Sequence, residues 1–161
     1  MANKLNPYTF FATFFGIGFL PGMPGTWGSL AAFGLYFLLP ATALIGSGLW
    51  FSVPLFVLFC LFAVWVSTQA EKTLGHDHGS IVIDEVCGYY LSVFLLPHSW
   101  LIGLYGLVLF RVFDIAKPFP VNRSQNLPRG WGVVTDDLIA GLYANILLQI
   151  LLKIYPKFFG L

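Results

Sequence analysis

Between Leu30 and Val66 the chain carries no charged residue, and this run decides the class of fold before any motif is considered. A bilayer core of roughly 30 Å is crossed by about 20 apolar helical residues. The run is therefore long enough for most of two crossings. Pro40 and the glycines at 46 and 48 divide it, predicting helices over 29–45 and 47–70. Charged residues are 9% of the whole and hydrophobic ones 58%, whereas ordinary soluble domains are about 25% charged. Too little charge is present to cover a water-facing surface. The expected fold class is an all-α, polytopic membrane helical bundle with short or re-entrant helices, forming one domain over residues 1–161.

Three further apolar stretches complete the pattern. Tyr8–Leu20 follows Lys4 and is succeeded by the turn-rich Pro21–Ser29, not by a small-residue cleavage site. It is expected to be retained and to lie on the membrane or dip into it. Gly88–Phe110 is interrupted by the PHSW segment at 97–100, and Leu138–Tyr155 is long enough to span once.

Charge placement is more informative than charge content. All seven acids and five of the eight bases fall between residues 71 and 137, in two segments, 71–85 and 111–137. A single crossing by residues 88–113 would put those segments on opposite sides. A hairpin turning at Pro97 would have arms of about 9 and 13 residues, near 14 and 20 Å, each short of a crossing. The hairpin is the favoured reading, and partial helices of this kind are tolerated when packed against protein. Lys117, Arg123 and Arg129 then place the polar side in the cytoplasm, although Lys153 and Lys157 pull the other way.

Several function classes drop out. A net charge of +1 gives no basic face for nucleic acid. Cys60 and Cys87, far apart in sequence, form no disulfide framework or zinc spacing and read as packing residues. Neither can be a cysteine-phosphatase nucleophile, because the sixth residue after each is Val66 or Val93, not arginine. No aspartyl-phosphate DxDxT run and no phosphate loop of the GxxxxGK type occurs.

Four polar motifs remain. His76–Glu85 packs two histidines and three carboxylates before an apolar helix; its bland reading is a solvated loop with Asp84 and Glu85 at a helix start. Phe110–Pro120 sets Arg111, Asp114 and Lys117 three apart on one helix face, and the helix must end before Pro118. The bland alternative, an intrahelical ion ladder, sits less comfortably at the end of an apolar helix, where charges are expensive. In Gly130–Gly141, Thr135 is expected to cap a helix whose first turn holds Asp136 and Asp137. Two adjacent carboxylates call for a cation or a basic partner. Gly141, Asn145 and Gln149 continue the Asp137 row and suit interhelical hydrogen bonding. In Pro21–Leu30, Thr26 and Ser29 precede an apolar helix, and the glycines would let backbone donors approach an anion. Hard carboxylate oxygens suit magnesium and the bases suit an anionic substrate; phosphoester chemistry at a membrane surface fits this set.

The four motifs together, Phe15–Ala32, His76–Gly88, Phe110–Pro120 and Gly130–Leu142, resemble phosphatidylglycerophosphatase A, a bacterial membrane lipid phosphatase family. The resemblance implies magnesium-dependent removal of the phosphate monoester from phosphatidylglycerophosphate at the cytoplasmic face of the inner membrane. On that reading the metal ligands are Asp84, Glu85, Asp136 and Asp137, and Asp114 is a ligand or orients a base. Arg111 and Lys117 hold the phosphate, with help from the Thr26 and Ser29 loop. His76 or His78 protonates the leaving alkoxide. A transport component whose acids line a pathway is the alternative from another class, but it would place isolated acids mid-span. A phosphatidyltransferase that uses a CDP-alcohol would need a DGxxAR run, which is missing.

Overall fold

The computed structural model describes residues 5–43 and 46–160; Lys4 and residues 44–45 lie outside them, and the helix expected over 29–45 ends earlier than its sequence suggested, at Tyr36, ahead of Pro40. Seven α-helices are present among them: α1 Pro7–Ala12, α2 Pro24–Tyr36, α3 Leu49–Leu74, α4 Ile83–Val93, α5 Trp100–Ala116, α6 Val121–Ser124 and α7 Gly130–Ile154. The described residues contain no strand. At 26 and 25 residues, α3 and α7 are long and apolar enough to cross a membrane. On α3, Trp50, Phe51, Leu55, Leu58 and Leu61 stand exposed, an outward apolar face that is stable against lipid and costly in water.

Two helix starts differ from expectation. Helix α2 begins at Pro24, whose fixed φ suits the first helical position. Thr26 and Ser29 therefore lie inside the helix and do not precede it. Helix α7 begins at Gly130, so Thr135 caps nothing and Asp136 and Asp137 fall in the second turn. The reason is tertiary. Gly130 N–H donates to Thr68 Oγ1 of α3 at 3.1 Å, and a Cβ at Gly130 would strike the Val64 carbonyl. Capping from a neighbouring helix thus replaces the local cap.

The segment expected to lie on the membrane forms α1 and a short 3-10 turn, Ile17–Phe19. A reciprocal Asn6–Thr9 capping box starts α1, and Phe10, Phe11, Phe15, Phe19 and Leu20 remain exposed.

The hairpin expected over residues 88–113 is present as α4 and α5. Leu95 takes a left-handed φ of 61° in the turn, and the Ser99 side chain caps α5 by accepting from Ile102 N–H. The turn is pinned to the end of α2. Tyr36 Oη accepts from Ser99 N–H at 2.9 Å, and His98 Nε2 donates to the Tyr36 carbonyl at 2.9 Å. Asn145 of α7 donates to the carbonyls of Ser92 and Phe94, at 3.1 and 2.6 Å, where α4 runs out of internal partners. Gln149 in turn donates to Asn145 Oδ1 at 2.7 Å. The polar stripe on α7 is thus an interhelical fastening, as its spacing suggested.

Candidate active site

The site is built by a close crossing of α4 and α7. Asp84 precedes Gly88 by four residues and Asp137 precedes Gly141 by four, so each acid stacks one turn above a glycine on the same face. A Cβ at Gly141 would collide with the Gly88 carbonyl oxygen. A Cβ at Gly88 would lie 2.7 Å from the Asp137 carbonyl and would strike the Phe110 ring. The two glycines bring the helix backbones together and, one turn higher, their carboxylates.

Asp84, Glu85 and Asp137 each offer an oxygen, and the three oxygens lie within 4.8 Å of one another. Asp84 is 7% exposed and Asp137 3%. Buried carboxylate oxygens normally have partners. Here Asp84 Oδ1, Glu85 Oε2 and Asp137 Oδ2 are buried with none. Burial, reinforced by the Glu85 carboxylate, pushes the Asp84 carboxyl well above its ordinary range. Burial likewise raises Glu85 to about 7. Unpaired oxygens from three converging carboxylates fit a hard divalent cation such as magnesium.

Basic groups line one side. Arg111 Nη1 donates to Asp114 Oδ2 at 2.6 Å and stands 3.9 Å from Glu85 Oε1, while its buried Nε–H has no partner. The first turn of α2 lies against this pair: a Cβ on Gly25 would strike Glu85 Oε1 and come 3.1 Å from Arg111 Nη1. Arg111, Asp114 and Glu85 therefore meet at an α-helix N-terminus, where backbone N–H groups favour an anion.

Lys117 departs from the expected ladder. It caps α5 in the left-handed region, with φ 42° and ψ 56°, because the residue before a proline is disfavoured in the right-handed helical region. Its Nζ is thereby directed to Asp136 Oδ2 at 2.7 Å, not along the helix to Asp114. Burial disfavours the ammonium, but the Asp136 carboxylate outweighs it and the lysine pKa is raised.

The remaining expected residues are less central. Ser29 is fully buried and donates to the Gly25 carbonyl at 2.8 Å, which occupies its hydroxyl within α2. Thr26 sits half-buried in the first turn of α2. His76 Nδ1 meets Glu71 Oε1 at 2.7 Å with its side chain 67% exposed, and His78 Nδ1 accepts from Ser80 N–H at 3.2 Å. His76 thus pairs with the last turn of α3 and His78 with its own loop. Five of the expected residues thus converge directly (Asp84, Glu85, Asp137, Arg111 and Asp114), and Asp136 with Lys117 forms an adjoining pair. The glycines that permit the convergence carried a legible signal, the same Asp-x-x-x-Gly spacing in both helices.

Comparison with known proteins finds relatives that cover most of the chain. The chain is 39% identical over 146 residues to a protein of Bacteroides thetaiotaomicron named "Putative phosphatidylinositol-3-phosphatase", covering 86% of this chain and 89% of the relative. It is 39% identical over 147 residues to phosphatidylglycerophosphatase A of Haemophilus influenzae, covering 89% and 88%. To the Escherichia coli protein of the same name it is 36% identical over 142 residues, covering 85% and 78%. No solved structure matches the chain significantly. The sequence profile of phosphatidylglycerophosphatase A matches residues 10–152, nearly the whole chain, and the protein belongs to that family.

Proposed function

We propose that this protein is a magnesium-dependent phosphatase that hydrolyses the phosphate monoester of phosphatidylglycerophosphate to give phosphatidylglycerol. The observation that carries the proposal is the buried Asp84, Glu85 and Asp137 cluster, whose unpartnered oxygens adjoin Arg111 and the start of α2. The phosphatidylglycerophosphatase names of the Haemophilus and Escherichia relatives support the head group. The site lies at helix ends, not in mid-span, which suits a phosphate held at the membrane surface. With Lys117, Arg123 and Arg129 on that side, the positive-inside rule favours the cytoplasmic face of the inner membrane in a multi-pass arrangement.

Asp84, Glu85 and Asp137 would hold the cation, which when bound supplies charge neutralisation and polarises phosphoryl oxygens. Arg111, fixed by Asp114, directs its free Nε–H at the phosphate, and the first turn of α2 adds backbone donors. Asp114 thus orients the arginine. Lys117 holds Asp136 and adds positive charge at the rim; the second Asp136 oxygen, Oδ1, is itself buried without a partner and could join the cation. Hydrolysis forms a bond from water oxygen to phosphorus and breaks the bond to the glycerol oxygen, which leaves with a proton. His76 or His78, in the loop that runs into α4, is the donor in this reading.

Purified protein should release inorganic phosphate from phosphatidylglycerophosphate in detergent micelles with magnesium, and stop when chelator is added. Activity that survives chelation would sink the metal assignment. Absence of phosphate release would favour the non-enzymatic transport reading. The name of the Bacteroides relative supports a second head group, so phosphatidylinositol 3-phosphate belongs in the same assay; faster release from it would reassign the substrate.

A further inference from the structure

A cleft with one apolar and one polar end runs beside the C-terminal half of α3. The apolar end, about 690 Å³, is lined by Leu61, Val64 and Trp65 of α3 and by Trp131 of α7. The polar end, about 270 Å³, is lined by Glu71 and Lys72 of α3, by His76 and by Arg129. Thr68 and Arg129 line both, so the two ends meet there. Leu61, Trp65, Thr68 and Lys72 recur at three- and four-residue spacing and form one row of α3, which rises about 16 Å from end to end. The start of α7 is the facing wall, fixed by the hydrogen bond from Gly130 N–H to Thr68 Oγ1 at 3.1 Å. Trp65 and Trp131 are both half exposed. They stand where the apolar run of α3 gives way to Gln69, Glu71 and Lys72, and tryptophan favours that boundary in a membrane. None of Asp84, Glu85, Asp137 or Arg111 lines the cleft.

We propose that this cleft binds an anionic phospholipid of the surrounding membrane, with its phosphodiester at Arg129 and Lys72 and one acyl chain along Trp65 and Leu61. Charge argues for the head group. Lys72 Nζ donates to Gln69 Oε1 at 2.7 Å, and neither it nor Arg129 has an ion pair among the described residues. Glu71, the acid that lines the same end, is engaged by His76 at 2.7 Å and by Asp77 N–H at 3.1 Å. Two cations against one acid leave the polar end short of one negative charge, which a phosphodiester supplies and a zwitterionic head does not. The apolar end argues for a lipid over a soluble anion. Helix α3 is long and apolar enough to cross a membrane, so exposed Leu61 and Trp65 face hydrocarbon. Basic pockets between membrane helices on the cytoplasmic side are general binding places for anionic lipid head groups. Arg129 itself takes φ 58° and ψ −152°, a backbone region suited to glycine, so the fold keeps a cation where glycine would relieve the backbone. The site stands apart from the carboxylate cluster and does not depend on the phosphatase reading.

The test uses the full-length protein in nanodiscs of phosphatidylcholine. A trace of phosphatidylglycerol carries a diazirine near the carbonyl end of one acyl chain, and a matched diazirine phosphatidylcholine is the reference. The proposal expects the glycerol lipid to label residues 61–69 more heavily than the choline lipid, and unlabelled phosphatidylglycerol to suppress that label. A cation near the membrane surface changes anionic-lipid affinity by about fivefold. Lys72→Gln and Arg129→Gly should therefore each raise the phosphatidylglycerol fraction needed for half-suppression by about fivefold. Glycine suits the backbone at position 129, and thermal unfolding in detergent checks that each variant keeps its fold. Lys72 is exposed, so Lys72→Gln carries the test by itself if Arg129→Gly unfolds. Equal labelling by the two lipids would mean that bulk lipid fills the cleft and would overturn the proposal. A preference for phosphatidylglycerol that persists unchanged in the folded variants would overturn it too, because other residues would then hold the head group.

Discussion

Replacing Gly141 with alanine adds one methyl group at the point where α4 and α7 cross. That carbon would lie 3.0 Å from the Gly88 carbonyl carbon and 3.2 Å from its Cα, and closer still to the carbonyl oxygen. The obstacle is backbone on a packed helix, so the helices themselves must separate by about 1 Å. Overpacking of this kind costs about 1–3 kcal/mol, which a bundle fastened elsewhere by Asn145 can absorb. The functional cost is larger. Asp84 and Asp137 sit one turn above the crossing, with their oxygens now within 4.8 Å, and a misplacement near 1 Å can lower a rate by about 10²-fold. Gly34→Ala is the control, because a Cβ there meets nothing within 4 Å. Phosphate release is measured for both variants across a magnesium titration, with thermal unfolding in detergent alongside. Gly141→Ala should lose about 10²-fold in kcat and need more magnesium, while Gly34→Ala should match wild type. If Gly141→Ala turns over within about twofold of wild type at the same magnesium midpoint, the glycine crossing does not set the ligand spacing.

The other expectations follow from the same geometry. Asp137→Asn keeps the shape but removes an anionic ligand, so kcat should fall at least about 10²-fold with insertion intact; near-normal turnover would remove Asp137 from the site. Cation ligands must be ionised, and Asp84 and Glu85 hold protons more tightly than usual, Glu85 with a pKa of about 7. Cation binding should therefore release protons and tighten as pH rises through about 7, and calorimetry showing no proton release would refute it. Lys117→Ala leaves Asp136 buried without its ammonium, so stability should fall by about 3–5 kcal/mol at the upper limit for a broken buried pair. Asp136→Asn in the same chain should restore most of it, and a double variant no more stable than Lys117→Ala would show that the pair is not coupled. Single cysteines at His78 and Arg123 should be labelled from one side of sealed vesicles, and labelling from opposite sides would contradict the hairpin.

What the sequence discloses and what it hides follow a physical division. The start of α4 is legible because Asp84 and Glu85 stand at the junction of a polar loop and an apolar run, where a helix N-terminus stabilises acids. The α4–α5 hairpin is legible because both arms are too short to cross a bilayer and Pro97 interrupts them. The start of α7 is hidden because its cap comes from Thr68, 62 residues away in the chain, and outcompetes the local threonine. The start of α2 is misread for a different reason: Pro24 signals a first turn, but the surrounding glycines suggest a loop. The partner of Lys117 is hidden because spacing along an ideal helix points to Asp114, and only the left-handed turn before Pro118 redirects the side chain to Asp136.

The charges at the site follow the helices that deliver them. Helices α2, α4 and α7 begin near it and α5 ends there, so three partial positive ends and one negative end converge. Asp84 and Glu85 occupy the first turn of α4, where the dipole offsets part of their charge, and Lys117 stands at the C-cap of α5, where a cation is favoured, while Arg111 lies one turn further in. Asp136 and Asp137 break the pattern. They lie in the second turn of α7, beyond the reach of an end effect that fades within one turn. Asp136 is answered by Lys117 at 2.7 Å. No such cation faces Asp137 among the described residues, although it is 97% buried and its Oδ2 is unpartnered. Of the clustered acids it gains least from the fold's own devices, so it has most to gain from a bound cation. Loss of Asp137 should therefore weaken magnesium binding more than loss of Asp136.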